Sequence, residues 1–252
     1  MIDKTRLSDR AWEFLLPQLC SIQGIRLGEP KDCRQFIDAV LWILRSGCQW
    51  RLLPLERGKW NAIFKRFSRW NKLGVWNDIL QLLAQQADQQ EVSIDSSVIR
   101  AHACAAGAAK SDAETEALGR SKGGFSCKIH MAVDGLGFPI KFILTGGQVS
   151  DTKQAIPLLE DIKAQACLAD KAYDFDVFIA YLESRSIKPV IPPKANRKEP
   201  RECDFHQYKE RHVVECMFGK LKYYRRIATR YEKMAVNYMG MLSLAAVLVW
   251  LC

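Results

Sequence analysis

The stretch Val92-Ser-Ile-Asp-Ser-Ser-Val-Ile99 marks the point at which the chain changes its pattern. Apolar and polar residues alternate through it, which is typical of a strand with one face on a core. Two further strands are predicted at 125–133 and 138–144, and Asp-Gly-Leu-Gly at 134–137 predicts the turn between them. Helical and strand patterns then alternate, with helices at 151–163 and 174–184 and strands at 166–170 and 188–191.

Three consecutive strands followed by alternating helices and strands are the order expected of a ribonuclease-H-like fold. We therefore predict an α/β domain at residues 89–252, built on a mixed sheet flanked by helices. Two segments rich in turn-forming or small residues, 101–122 and 192–202, are interpreted as mobile loops.

The first 88 residues predict a small all-α domain. Ser8 is placed to cap a helix that runs to Cys20, a second helix is predicted from Pro30 to Gly47, and two more at 59–73 and 75–90. The third helix alternates aromatic residues with Lys65, Arg66 and Arg69, which resembles a DNA-recognition helix. A merely solvated basic helix has the same pattern, so both interpretations stay open.

The charge balance indicates a polyanionic partner. The chain has 37 basic and 28 acidic residues, a net charge of +9, and the excess lies at both ends around a slightly acidic middle. A nucleic-acid enzyme needs positive surfaces for phosphates beside carboxylates for metal, although a basic solvated surface would look similar.

Nine cysteines without a CxxC pair argue against a disulfide framework or structural zinc. No leader or stretch long enough to span a bilayer is recognised, so we expect a cytoplasmic protein, associated with the nucleoid when bound to DNA.

Two aspartates are candidates for metal ligands. Asp95 lies inside the first strand, where a charged side chain is costly unless something binds it, and Asp170 ends another strand after an apolar run. Acidic residues at strand ends are often turn formers, so the two gain meaning only with a third carboxylate.

Glu215 is that third carboxylate. At about 100° per residue, a helix from Tyr208 places five polar side chains on one stripe and five apolar ones opposite. The stripe consists of Tyr208, Arg211, Glu215, Lys222 and Arg226, and the apolar face of Val213, Val214, Met217, Leu221 and Tyr224. A surface ion pair between Arg211 and Glu215 is the alternative, but one carboxylate among three cations suits a metal ligand surrounded by phosphate contacts.

Carboxylate oxygens favour magnesium, or manganese in its place, over zinc. Two such ions suit phosphodiester chemistry, because they activate the attacking oxygen and stabilise the leaving one. A zinc site at His212 and Cys216 is the rival, but no second Cys/His pair exists to complete it.

The spacing Tyr208-x2-Arg211-x3-Glu215-x6-Lys222 resembles the Y-R-E-K signature of DDE transposases of bacterial insertion sequences. Residues 93–97 and 168–174 resemble that family's first and second aspartate strands. Residues 47–54 and 224–233 are similar to the insertion sequence five group.

The resemblance implies a ribonuclease-H-like catalytic domain that nicks DNA at transposon ends and transfers the freed 3′-hydroxyl to target DNA. Asp95, Asp170 and Glu215 would be the catalytic metal ligands. By the resemblance, Tyr208, Arg211 and Lys222 would contact phosphates. The basic pattern of the sequence itself adds Arg225 and Arg226, and also Lys65, Arg66 and Arg69 in the N-terminal domain. Double-stranded DNA with terminal inverted repeats would be the partner, and at least a homodimer would join two ends. A transposase-derived regulator that binds DNA with impaired catalysis is the alternative, and a nuclease without end specificity is a third.

Overall fold

The computed structural model describes residues 5–106 and 115–251. Within these residues the chain forms two compact units. The helical unit combines Met1–Leu83 with Ala101–Lys110 and Leu221–Cys252, and the sheet unit combines Ala84–Arg100 with Ser111–Lys220. The predicted boundary at residues 88 and 89 lies near one of these divisions, but the C-terminal helix joins the N-terminal helices rather than the sheet.

The elements follow in a fixed order along the chain. The helices are α1 (Asp9–Ser21), α2 (Pro30–Ser46), α3 (Trp60–Lys72), α4 (Val75–Ala84), α5 (Thr152–Leu159), α6 (Asp176–Ser184), α7 (Phe205–Tyr208), α8 (His212–Lys222), α9 (Arg225–Ala228) and α10 (Ala235–Trp250). The strands are β1 (Glu91–Ala101), β2 (Gly119–Ser121), β3 (Gly124–Asp134), β4 (Pro139–Gly146), β5 (Ala166–Leu168), β6 (Lys188–Val190) and β7 (Thr229–Arg230).

The helical unit has an aromatic core. Ser8 caps α1 by accepting the Ala11 N–H at 3.2 Å, as predicted. The helix α2 ends at Ser46 and is capped by Gly47, whose φ is 73°. Gly47 leaves no room for a side chain, because a Cβ there would lie 2.8 Å from the Cβ of Arg225. Trp70 is fully buried between Phe36 and Trp76, with ring centroids 5.0 and 5.6 Å away. The apolar helix α10 packs against α3, which explains why it belongs to this unit.

The sheet unit has a mixed sheet, as predicted. Its strand order is β2-β3-β1-β5-β6, and β4 pairs with β3. The pairs β1–β3 and β3–β4 are antiparallel, whereas β1–β5 and β5–β6 are parallel. The main apolar core of this unit joins β1 to α5 and α6 through residues such as Ile94, Leu158 and Phe178.

Several predicted boundaries need correction. The helix α4 ends at Ala84 rather than Gln90, because residues 85–90 offer little apolar surface to bury. The strand β2 lies inside the segment interpreted as a loop, of which residues 107–114 lie outside the described ones. Among residues 5–106 and 115–251, no helix is long and apolar enough to cross a membrane.

The segment at 192–202 contains no helix or strand, as predicted for a loop, and three of its residues contact Asp174. Asp174, whose side chain is 1% exposed, accepts from the Lys194 N–H at 2.8 Å and from Nε of Arg197 at 2.6 Å. Arg201 contacts the other oxygen of Asp174 at 2.5 Å, and both arginines also reach Asp176. These contacts fix the path of the chain towards α7.

Candidate active site

Asp95 lies on β1, between the antiparallel strand β3 and the parallel strand β5. Its Oδ1 accepts the backbone N–H of Ser96 at 2.7 Å, and its Oδ2 lies 3.1 Å from a guanidinium nitrogen of Arg211. Burial raises the pKa of the Asp95 carboxyl above its ordinary value, although Ser96 and Arg211 act in the opposite direction. A cation at this position therefore stabilises the ionised form.

Asp170 follows the end of β5 by two residues. The parallel register aligns Ser93 with Leu168, so its continuation brings Asp170 beside Asp95. The negative charge of Asp170 is among the influences that raise the pKa of Asp95, as expected of neighbouring carboxylates. Asp170 Oδ1 also accepts the Ala172 N–H at 2.8 Å, which fixes the turn after the strand.

Glu215 is connected to Asp95 through Arg211. The second terminal nitrogen of Arg211 contacts Glu215 Oε1, one helical turn further along the chain. The side chain of Arg211 is 15% exposed and that of Glu215 is 56% exposed. One guanidinium therefore binds carboxylates from a strand and a helix at the same time.

The oxygen donors of Asp95, Asp170 and Glu215 suit a hard divalent cation in their chemistry. In the described part of the chain, however, no three His, Cys, Asp or Glu side chains are grouped closely enough to hold one ion. At this site Arg211 pairs with both Asp95 and Glu215. The chemistry of the three donors fits a hard cation, whereas their arrangement in the structure is that of two carboxylates paired with one guanidinium.

Tyr208 precedes Arg211 in the sequence, and Lys222 follows Glu215. Tyr208 is half-buried against a small apolar cluster of Ala166, Leu168 and Val190, and the Arg211 guanidinium lies 5.8 Å from its ring centroid. Lys222 is exposed at the end of α8.

The helical run is interrupted at Lys209–Arg211, which form a tighter 3-10 turn between α7 and α8. The predicted apolar face is confirmed within α8, where Val214, Met217 and Leu221 are buried.

Two predicted phosphate contacts have structural partners instead, which corrects their assignment. Arg226 lies beyond the end of α8, is 4% exposed, pairs with Glu232 at 2.9 Å and donates to the Cys48 carbonyl at 3.0 Å. Arg66 donates to the Leu27 carbonyl at 2.8 Å and lies over the rings of Phe36 and Trp70. Of the other basic candidates, Lys65, Arg69, Lys222 and Arg225 are exposed.

A polar network beside Asp95 was not found from the sequence. Asp151 accepts from the Ser96 hydroxyl at 2.7 Å and from Lys128 Nζ at 2.9 Å, and lies 3.7 Å from Nδ1 of His130. Ser96 thus contacts Asp95 through its backbone and Asp151 through its side chain. The only sequence signal was an acidic residue at the start of a predicted helix, which usually indicates a cap.

The zinc alternative gains no support from the described residues. His212 Nδ1 lies 3.0 Å from the Lys209 carbonyl oxygen, and all eight cysteines of the described part are free thiols. Within the described residues, neither His212 nor any cysteine belongs to a group of three His, Cys, Asp or Glu side chains that could hold a metal ion.

Comparisons with known proteins match almost the whole chain. A family model described as "Putative transposase of IS4/5 family" matches residues 7–80, and one described as "Transposase DDE domain" matches residues 86–250. A relative from Brucella ovis, "Putative transposase for insertion sequence element IS6501", is 41% identical over 127 residues, which cover 49% of this chain and 97% of the relative. One from Burkholderia cepacia, "Putative transposase for insertion sequence element IS402", is 31% identical over 48% of this chain and 61% of its own length. A chain from the solved structure "Crystal structure of a pre-cleavage Mos1 transpososome" aligns over 91% of this chain and 80% of its own, with 10% identity and a TM-score of 0.27.

Proposed function

The chain belongs to the DDE transposases of insertion sequences, of the IS4/5 type, and from this premise we propose that it binds terminal inverted repeats, nicks them and joins their 3′-hydroxyl ends to target DNA. The observation that supports the chemistry best is the double contact of Arg211, which links Asp95 on β1 to Glu215 on α8. Asp170, two residues after the neighbouring strand β5, is the third carboxylate. Each of the three comes from a different element of one unit.

In the proposed function, Asp95, Asp170 and Glu215 would hold two magnesium ions, for which manganese could substitute. When bound, the ions supply activation of the attacking oxygen and stabilisation of the leaving oxygen. The protein supplies the charge around them. Arg211 compensates the charges of Asp95 and Glu215, and its guanidinium would be available to a DNA phosphate if these carboxylates held the ions.

We further propose that the exposed cations bind the DNA backbone. Lys65 and Arg69 lie on one helix of the helical unit, and Lys222 and Arg225 lie near the end of α8. Tyr208 is placed to position Arg211 through its ring. Because two transposon ends must be joined in one reaction, we expect a homodimer or a larger assembly in the synaptic complex.

The test is cleavage of a DNA fragment that carries the terminal inverted repeats of the element, with magnesium. Wild-type protein should nick at the ends, and Glu215→Gln should abolish nicking while it spares binding, because it removes a ligand charge with little change of shape. Glu210→Gln is the matched control, since Glu210 is an exposed glutamate on the turn before α8.

Three other outcomes would contradict the proposal. Binding of the ends by wild-type protein without any nicking would favour a regulator with impaired catalysis. Cleavage that does not depend on the end sequence would indicate a plain nuclease, and unchanged nicking by Glu215→Gln would remove Glu215 from the active site.

A further inference from the structure

The helical unit contains a cavity of about 730 Å³ that the proposed chemistry does not use. It is formed by four sequence segments, at residues 49–51, 64–68, 102–104 and 226–237, all of which belong to the same unit. Gln49, Trp50 and Arg51 contribute one part of its lining, and the stretch from Tyr231 to Met234 contributes another. A cavity of this size is typical of a site for a small organic ligand or a group of one.

The cavity is lined by flat rings. Trp50 and Phe64 line one part, with ring centroids 5.3 Å apart, and His102 and Tyr231 line another at the same centroid distance. All four rings are only partly buried or exposed. Such rings offer stacking surfaces to a planar ligand, which an aliphatic lining would not.

The charges are arranged in two layers. Arg226 and Glu232 line the cavity as a buried pair, so their charges compensate each other, and the Arg226 guanidinium lies 5.8 Å from the Trp50 ring and 5.1 Å from the Tyr231 ring. Arg51 and Lys233, in contrast, are exposed cations of the lining. A suitable ligand therefore has a planar, neutral part that enters the cavity and a negatively charged part that contacts the exposed cations Arg51 and Lys233.

We propose that this cavity binds an unpaired nucleobase of DNA, whose phosphates contact Arg51 and Lys233. The Gln49 amide, the Ser68 hydroxyl and the His102 ring are the polar groups of the lining that can contact the edge of the base. Stacking on the rings supplies affinity that does not depend strongly on the base. The inference rests on the DNA binding of the proposed function, but not on its cleavage chemistry.

The test measures binding without metal or cleavage. The full chain is titrated with a short single-stranded oligodeoxynucleotide, and with an oligonucleotide of the same length and charge whose central nucleotides are abasic. A single strand avoids the cost of unpairing the base. Wild-type protein should bind the intact strand about 5- to 150-fold more tightly, as expected for a stacked base.

Two opposite changes to the cavity should remove this preference. Tyr231→Ala deletes a stacking wall, and Ser68→Trp fills the cavity without removing any wall. Both should bind the intact and abasic strands about equally. Tyr223→Ala is the matched control, because Tyr223 is 80% exposed and does not line the cavity. Thermal melting shows whether each variant folds, and Ser68→Trp decides the question if Tyr231→Ala does not.

Equal binding of both strands by wild-type protein would overturn this inference while end cleavage could still succeed. An unchanged preference in a folded Ser68→Trp variant would also overturn it. A chain that bound neither single strand would overturn this inference too, whereas failure to bind duplex terminal inverted repeats in a separate titration would contradict the proposed function, so the two failures can be told apart.

Discussion

Two arginine–glutamate pairs near α8 use the same chemistry in opposite surroundings. In the first, Arg211 is 15% exposed and Glu215 is 56% exposed. In the second, the side chains of Arg226 and Glu232 are 5% and 3% exposed. Water can replace the partner of Glu215, so its pairing can change when a ligand arrives. The partner of Glu232 cannot be replaced without leaving a charge in the interior.

This difference assigns the pairs to different tasks. The exposed pair lies in the sheet unit and reaches Asp95, so it belongs to the candidate active site. The buried pair lies in the helical unit, where Arg226 also donates to the Cys48 carbonyl and lies beside the rings of Trp50 and Tyr231. It holds the segment after α8 in place. The same substitution in each pair therefore tests the comparison directly.

The largest effect is expected from Glu232→Gln. This variant leaves the Arg226 charge buried without its counter-ion, so the free energy of unfolding should fall by about 3–5 kcal/mol. Urea unfolding followed by circular dichroism measures the change. The double variant Arg226→Met, Glu232→Leu should lose less than the single one, because no uncompensated charge remains. A loss under about 1 kcal/mol for the single variant would show that the pair is not buried in solution.

The sequence could not distinguish the two pairs, and the reason is geometric. The helical wheel treats residues 208–226 as one continuous helix, but the 3-10 turn at Lys209–Arg211 and the end of α8 at Lys222 break its regular angles. Within α8 the wheel predicted the buried face correctly. Arg226 lies after the break, and its burial depends on Cys48 and Trp50, about 180 residues earlier.

Other features of the site also divide into those that a local sequence pattern predicts and those that depend on contacts between distant segments. The alternating pattern around Asp95 and the apolar run before Asp170 predicted both strands, because such patterns are local. The contacts of Asp151 with Ser96 and Lys128 join a helix start to two strands, so no local pattern could predict them. The contacts of Arg66 with the protein could not be predicted for the same reason, since its partners Leu27 and Phe36 lie on other segments.

A smaller effect is expected at His130, a buried ionisable group of the sheet unit. Burial lowers the pKa of this histidine from 6.5 to about 4, even though Asp151 lies 3.7 Å from its Nδ1 and opposes the shift, while the nearby Lys128 reinforces it. A depressed pKa gives a stability contribution that is fully present above pH 6.5 and is lost as the pH falls through 4. Between pH 7 and pH 4, wild-type protein should lose about 3 kcal/mol more than His130→Gln.

Urea unfolding of both proteins at several pH values tests this expectation. His130→Gln is suitable because an amide can keep a hydrogen bond to the Thr145 hydroxyl, which lies 2.9 Å from Nε2 of His130. Parallel pH profiles for the two proteins would mean that His130 does not titrate as a buried group. Burial at His130 would then fail to predict the free-energy cost of a charge. The comparison of the two pairs, which relies on that relation, would be weakened.

The smallest effect on stability is expected from Glu215→Gln, although its effect on cleavage should be complete. An exposed ion pair contributes about 0–1 kcal/mol, because water solvates both partners when the pair separates. The free energy of unfolding should therefore change by less than about 1 kcal/mol, while Asp95 keeps its own contact with Arg211 at 3.1 Å. A loss as large as that of Glu232→Gln would show that Arg211 and Glu215 hold the fold rather than the reacting groups. A small loss in stability together with abolished nicking would separate the two pairs by function as well as by burial.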